Sequence, residues 1–255
     1  MLKTTRFFHA RLIAVLVAIA YLTGCGTNCA VPAFNSALPS GTASCTTNGQ
    51  TGVPLGTAAN FAVLGGSTVT NTGTPTIVSG ELGVWAGSAV TGFPPGLVVN
   101  GSIHRADPTA MTAQGDLTTA YVNAMNRVVP APTIVSGDIG GSTLTPGIYK
   151  STSSLGLTGT VTLDGQNLVN PVFIFQIGST LTTATDSIVR LINGANACNV
   201  TWQLGSAGIF GTRTAFFGNV LAQSSITFNT GATITGRALA RDGAVTLDDN
   251  LVTRP

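Results

Sequence analysis

The sequence predicts a mainly β protein, wound as a triangular parallel β-helix with one long α-helix packed alongside. Three observations carry this reading. Short apolar runs alternate with small or hydroxyl residues between glycine-rich turns, as brief strands do and helices do not. In the C-terminal half these runs fall into groups of three, repeating every roughly 20–25 residues, which is solenoid spacing. Charge is scarce: Asp, Glu, Lys and Arg make up 8% of the 255 residues, whereas 32 are glycine, far from the usual globular mix.

The chain opens with Lys3, Arg6 and Arg11 and then an apolar run from Leu12 to Leu22, the pattern of an export leader over residues 1–25. The run is short for a membrane span. It ends Leu22-Thr23-Gly24-Cys25, which resembles the lipobox of bacterial lipoproteins, so Cys25 is the expected lipidation site; the alternative is an ordinary cleaved leader. Gly26 follows where that class carries Asp for retention, which points to the outer membrane. Several acyl chains on one cysteine meet the requirement for more than one hydrophobic anchor. The expected location is the cell envelope or the extracellular space.

Residues 26–54 are rich in Pro, Ser, Thr, Gly and Asn without apolar periodicity, and read as a flexible tether. Cys29 and Cys45 lie in it, and export permits a disulfide. Counting that pair leaves Cys198 alone, read as a small buried hydrophobe. With the leader removed the chain is close to neutral and Lys150 is its last lysine. A nucleic-acid partner needs clustered Lys and Arg, and this sequence has no such cluster. The one histidine beyond the leader, His104, has no companion at zinc-ligand spacing, so neither metal nor cofactor is expected.

The folded region begins at residue 55. Residues 61–64 and 67–72 are its first strand runs. Pro75-Thr76-Ile77-Val78-Ser79-Gly80-Glu81-Leu82-Gly83 recurs almost unchanged as Pro132-Thr133-Ile134-Val135-Ser136-Gly137-Asp138-Ile139-Gly140. The carboxylate in each copy is read as holding turn backbone. Between the copies a helix is expected over about 107–128. Asp107 suits the N-cap and Pro108 the first turn. Ala110, Ala113, Leu117, Tyr121, Ala124 and Val128 form its apolar stripe, and Pro130 and Pro132 stop it.

Coils follow. The first holds 147–149, 154–158 and 161–163; the second 172–175, 179–184 and 188–192; the third 200–204, 206–211 and 215–217. The phrases at 224–229 and 243–248 continue the series. Successive strand residues point to opposite faces, so the middle strands present outward columns. These are Thr68, Thr70 and Thr72; Ala89 and Thr91; Ser154, Gly156 and Thr158; Thr180, Thr182 and Ala184; Ala207, Ile209 and Gly211; Ser225, Thr227 and Asn229; and Ala244, Thr246 and Asp248. Rungs about 4.8 Å apart, with outward residues nearly 7 Å apart along each strand, make a flat grid of hydroxyls and methyls. A sheet meant only to stay soluble would carry Lys and Glu there, although Thr also favours strands for its own sake.

Several stretches resemble the ice-binding proteins of cold-adapted bacteria and fungi: residues 55–64, 89–96, 116–121, 144–149, 172–178 and 236–241, in that order. The resemblance covers all of 55–255. It implies a discontinuous right-handed β-helix with a flanking helix, and an ice crystal surface as partner. It also implies that the middle-strand face adsorbs to ice, giving thermal hysteresis and inhibition of recrystallisation. Ile209 stands where such columns usually carry Thr, and Asp248 and Asn229 sit at strand ends. A monomer is expected. The rival readings are an envelope adhesin or passive solenoid and, more remotely, a carbohydrate-active enzyme, which would need two carboxylates across a cleft.

Overall fold

The computed structural model describes residues 51–255; the expected leader, Cys25, Cys29, Cys45 and most of the segment read as a tether lie outside them. The first coil is β1 (Phe61–Gly65), β2 (Thr68–Asn71) and β3 (Ile77–Ser79), and the second is β4 (Glu81–Val84), β5 (Ala89–Thr91) and β6 (Leu97–Val99). After β7 (Ile103–Arg105) the chain leaves as α1 (Pro108–Met125). It re-enters with β8 (Thr133–Ile134), β9 (Gly137–Asp138) and β10 (Thr143–Leu144). Next come β11 (Gly147–Ser151), β12 (Leu155–Leu157), β13 (Thr160–Asp164), then β14 (Phe173–Ile177), β15 (Leu181–Thr183), β16 (Ile188–Ile192). The last strands are β17 (Val200–Leu204), β18 (Gly208–Phe210), β19 (Ala215–Ala222), β20 (Ile226–Phe228), β21 (Thr233–Ala240), β22 (Val245–Leu247) and β23 (Leu251–Thr253).

All strand pairs are parallel, and they build three faces. The middle strands form an 8-stranded sheet in the order β5-β2-β22-β20-β18-β15-β12-β9. The other two faces belong to one 15-stranded sheet, because β19 and β21 run through a corner and serve both. That corner bends at Gly218 and Gly236, each at positive φ, and a Cβ on Gly236 would lie 1.9 Å from the Gly218 carbonyl oxygen. Only glycine tolerates such an approach.

The stacking order is not the chain order. The coils laid down before α1 sit beyond the last ones: β1 pairs with β21, β2 with β22 and β3 with β23. The helix interrupts the winding, and the first two coils extend the C-terminal end of the stack. At the join, Arg237 is buried; its Nε donates to Ala59 O (2.9 Å) and Nη1 to Asn219 Oδ1 (2.8 Å). Burial pushes this guanidinium down to about 10, so it stays charged at neutral pH.

The interior is aliphatic with an aromatic ladder. Tyr149, Phe175 and Trp202 occupy the same position on successive rungs, with Phe175 and Trp202 stacked at 3.7 Å. The helix lies over β1, β14, β17 and their neighbours. Leu117, Ala113, Ala120 and Tyr121 pack there against Leu64, Leu221 and Leu239. Its cap is as read from the sequence: Ala110 N donates to Asp107 Oδ1 (2.8 Å). That bond, ahead of the neighbouring His104, holds the Asp107 carboxyl below its ordinary range. His104 lies between Asp107 Oδ2 (2.7 Å) and Glu81 Oε2 (3.2 Å).

Two sequence expectations change. Val128 is 65% exposed and lies beyond the helix, which ends at Met125; Gln114 and Ala120 complete the buried stripe instead, Gln114 donating to the carbonyls of Trp85 and Ala240. Cys198 is neither alone nor buried: it is half-exposed and disulfide-bonded, its partner outside the described residues. Counting cysteines paired the two nearest in sequence, and the fold sets its own neighbours. Residues 51–54 are already held against the body, since Arg127 Nη1 donates to Thr51 O (2.8 Å) and Val53 packs beside Ile148 and Ile174.

Asp116 on α1 receives both the amide and the hydroxyl of Thr57 at 2.6 Å, which hold its carboxyl below the ordinary 3.8. A carboxylate depressed on folding contributes stability that is present above its unfolded value and lost as pH falls through the folded one. Asp116→Ala is therefore expected to be less stable than the parent at neutral pH, with the gap closing below the ordinary value of 3.8. Urea titrations across that range decide it; a gap independent of pH contradicts the assignment.

Candidate functional site: the flat middle-strand face

The middle-strand face grows from a repeated local device. Each of its strands is three or four residues long, apart from β9 with two, so only one or two side chains per rung point outward. Most inward partners are apolar: Leu155, Leu181, Ile226, Val245 and Val69 belong to one buried column. Leu157, Phe210, Phe228 and Leu247 belong to the other, Phe210 and Phe228 stacking at 4.4 Å. Rings and branched chains fill the interior directly beneath, which fixes the sheet from below.

Register places the outward residues in columns. The central one reads Asp138, Gly156, Thr182, Ile209, Thr227, Thr246, Thr70, Thr91. Beside it, one step before the inward residue, stand Ser154, Thr180, Ala207, Ser225, Ala244, Thr68 and Ala89. The fold thus assembles fourteen of the sequence-predicted positions, Gly156 and Ala89 among them, into two adjacent columns. Within the central column, Thr91 Oγ1 donates to Thr70 Oγ1 at 3.3 Å. Ile209, 40% exposed, stands between Thr182 and Thr227.

The third expected column stands one step past the inward residue at the other end of each strand, with Thr72, Thr158 and Asn229 exposed. Thr72, Thr158, Ala184, Gly211, Asn229 and Asp248 follow the ends of their strands and enter the turn. Gly211 is buried, Thr72 Oγ1 donates to Leu247 O (3.3 Å), and the Asp248 carboxylate accepts the Thr230 hydroxyl. Exposed charge also collects in these turns: Arg213 grips Asp186 through Nε and Nη2, each at 2.7 Å.

One face residue was missed. Asp138 heads the central column beside Gly156. It was read only as a turn carboxylate, which it also is: Oδ1 accepts from Gly140 N (2.6 Å) and Thr158 N (3.0 Å). Burial opposes ionisation there, but the bonds from Thr158 and Gly140 prevail and hold the carboxyl low. Stepping back one coil from Gly156 would have found it; β9, with two residues, shows too little alternation to reveal its face. The second carboxylate of the repeat, Glu81, likewise accepts a backbone amide, that of Ser102 (2.6 Å).

A cavity of about 550 Å³ lies off this face, beside the start of α1, lined in part by Phe61, Glu81, His104, Thr109 and Arg254. The face itself is a plane. A solenoid that presents such a face of methyls and hydroxyls, with Asp138 at one end of the column, defines a protein built to lie against an extended, ordered surface. The chain belongs to the ice-binding-like family, whose profile matches residues 63–253.

It is 53% identical over 199 residues to an ice-binding protein of Nostoc sp. (strain HG1), covering 78% of this chain and 72% of the relative. An ice-binding protein of Flavobacterium frigoris (strain PS1) is 41% identical over 145 residues, 56% of this chain and about half (51%) of the relative. Among solved structures, an ice binding protein from an Antarctic biological consortium superimposes with a TM-score of 0.78 at 49% identity, covering 86% of this chain and 96% of that one. An Arctic yeast ice-binding protein described for its antifreeze activity has a TM-score of 0.73 at 30% identity, covering 80% and 94%.

If the aromatic layer under β18 and β20 holds the plane, emptying it is costly. Phe210→Ala, at a fully buried ring, is expected to lose about 3–5 kcal/mol. The loss is read as a lower denaturant midpoint at unchanged slope; a loss under about 1 kcal/mol, within the reach of an ordinary surface change, contradicts the packing account.

Proposed function

We propose that this chain adsorbs to ice through the two-column face, producing thermal hysteresis and inhibiting recrystallisation. The observation that carries the proposal is the register: Thr182, Thr227, Thr246, Thr70 and Thr91 fall in one column on one plane. Family membership supports the same reading. A hydroxyl here exchanges one water partner for another, so no single contact is strong. Many contacts at matched spacing, on a face that loses little freedom on docking, sum to firm adsorption. Methyls between the hydroxyls leave water to order against itself, and lysines or glutamates would impose their own hydration shells. The role is adsorption, without turnover.

The leader directs export, and acylation of Cys25 anchors the chain in the envelope, with the solenoid displayed beyond the tether as a monomer. Acylated Cys25 is not available for a disulfide, which leaves Cys29 and Cys45 as candidate partners of Cys198. Radiolabelled palmitate is then expected to enter the parent and not Cys25→Ser, whereas label retained in that variant removes the anchor.

Thr182→Tyr and Thr227→Tyr place a bulky ring in the middle of the plane and are expected to abolish both ice activities with unchanged circular dichroism and thermal midpoint. Thr253→Tyr, on the neighbouring face, is the control and retains activity. Full activity in both face variants sinks the assignment.

A further inference from the structure

Where the flat face turns into the third face, five coils each place one buried residue just before the next strand: Ser187, Thr214, Ala232, Asn250 and Thr76. Registers of the following strands stack these five in one column. Most of them tie the turn to a neighbouring coil or strand. Ser187 Oγ donates to Leu157 O (2.9 Å), and Thr214 Oγ1 meets Thr183 Oγ1 (2.8 Å) and Ala184 O (3.2 Å). Ala232 has no side-chain donor, and the next residue in the column supplies what it lacks. Asn250 Nδ2 donates to Ala232 O (3.0 Å) and Asn229 O (2.9 Å), while its Oδ1 accepts the Asp248 amide (2.6 Å). On its other side the Asn250 main-chain N–H donates to Thr76 Oγ1 (3.1 Å), and its main-chain carbonyl accepts the Ile77 amide (2.8 Å).

One buried residue therefore spans three consecutive rungs: those of β20, β22 and β2. The last two meet across the join between the late and early parts of the chain, where no short loop holds them at a common height. We infer that Asn250 is a positioning residue for the ice-facing plane, setting Thr227, Thr246 and Thr70 as one continuous column across that join. The inference rests on the adsorption reading above. An array binds through simultaneous engagement, so a small shift at the join splits it into a longer and a shorter array and forfeits their combined avidity. A residue that merely stabilises the corner lowers stability alone and leaves each folded molecule fully active.

The test uses the full chain with Asn250→Leu, similar in size but without side-chain donors or acceptors, and Thr76→Val, which removes the Asn250 N–Thr76 Oγ1 bond and leaves the Ile77 N–Asn250 O bond across the join in place. Ice activity is measured per folded molecule, in the cold where circular dichroism shows complete folding. Asn250→Leu is expected to need at least about tenfold more protein for the same recrystallisation inhibition, on the low side for lost simultaneous engagement. Thr76→Val is expected to show a smaller loss of the same kind. Fluorescently labelled variants are also expected to stain a narrower set of planes on a single ice crystal. Thr182→Tyr and Thr227→Tyr, run alongside, separate the two ideas: if both stay fully active, the adsorption reading fails. If either loses activity while folded Asn250→Leu matches the parent, the positioning role is overturned. Should Asn250→Leu not fold, Thr76→Val decides, and parental activity and plane staining in that variant overturn the role.

Discussion

The join between the first and last coils is the constraint on which the rest of this structure depends. All three faces cross it, β1 on β21, β2 on β22 and β3 on β23. Its bonds link residues as far apart as Ala59 and Arg237, 178 positions along the chain. Bringing such segments together costs closure entropy before any contact rewards it, and topologies of this kind fold slowly. The join must therefore be strong where it forms. Arg237 supplies part of that strength. A buried guanidinium is costly unless its donors are satisfied, and here Ala59 O and Asn219 Oδ1 take two of them. Asn219 in turn donates to Cys198 O (3.1 Å) and Val200 O (3.3 Å). One network thus reaches from the entry of the first coil to the turn that carries the disulfide.

The helix makes the join possible. It departs after β7 and runs along the flank, so the chain re-enters the stack at its far end with β8. Its apolar stripe covers residues from both parts of the stack, Leu64 from the early coils and Leu221 and Leu239 from the late ones. Tyr121 adds a polar tie, donating to Leu204 O (3.1 Å) and accepting from Gln203 Nε2 (2.9 Å). With one face occupied by the helix, the middle-strand face is left open.

Much of this was legible in the sequence. The three-strand coils, the helix cap at Asp107 and the outward residues of β12, β15, β18, β20 and β22 follow from alternation and capping chemistry, which are local. What stayed hidden is non-local. Nothing in the order of residues says that Thr70 lies beside Thr246 and not beside Gly156, because rung order depends on where the helix returns the chain. Cys198 was misread for the same reason: its partner is set by the path of a segment distant in sequence. Asp138 sits on a strand too short to display its period. Val128 continues a helical spacing, but the helix ends at Met125, before the residues over which the prolines at 130 and 132 act directly.

The distribution of polarity then explains why a surface of such modest groups can act at all. Inside the corners buried side chains tie the turns together: Asn71 Nδ2 donates to Gly73 O (2.8 Å) and Gly92 O (3.0 Å), Asn250 donates to two carbonyls, and Thr183 and Thr214 bond to each other. Those satisfied, buried bonds rigidify the turns. The hydroxyls on the plane are committed far less, the Thr91–Thr70 bond being an exception, and they remain free to meet water. Strong bonds hold the geometry while weak ones make the contact. Reversing the arrangement, with strong polar groups on the plane and pliant corners, would bind individual waters tightly and lose the common spacing. The same logic assigns Ile209 its cost. It keeps the plane filled and methylated, and it withholds a hydroxyl from the middle of the column, where each side of the array counts on its neighbour.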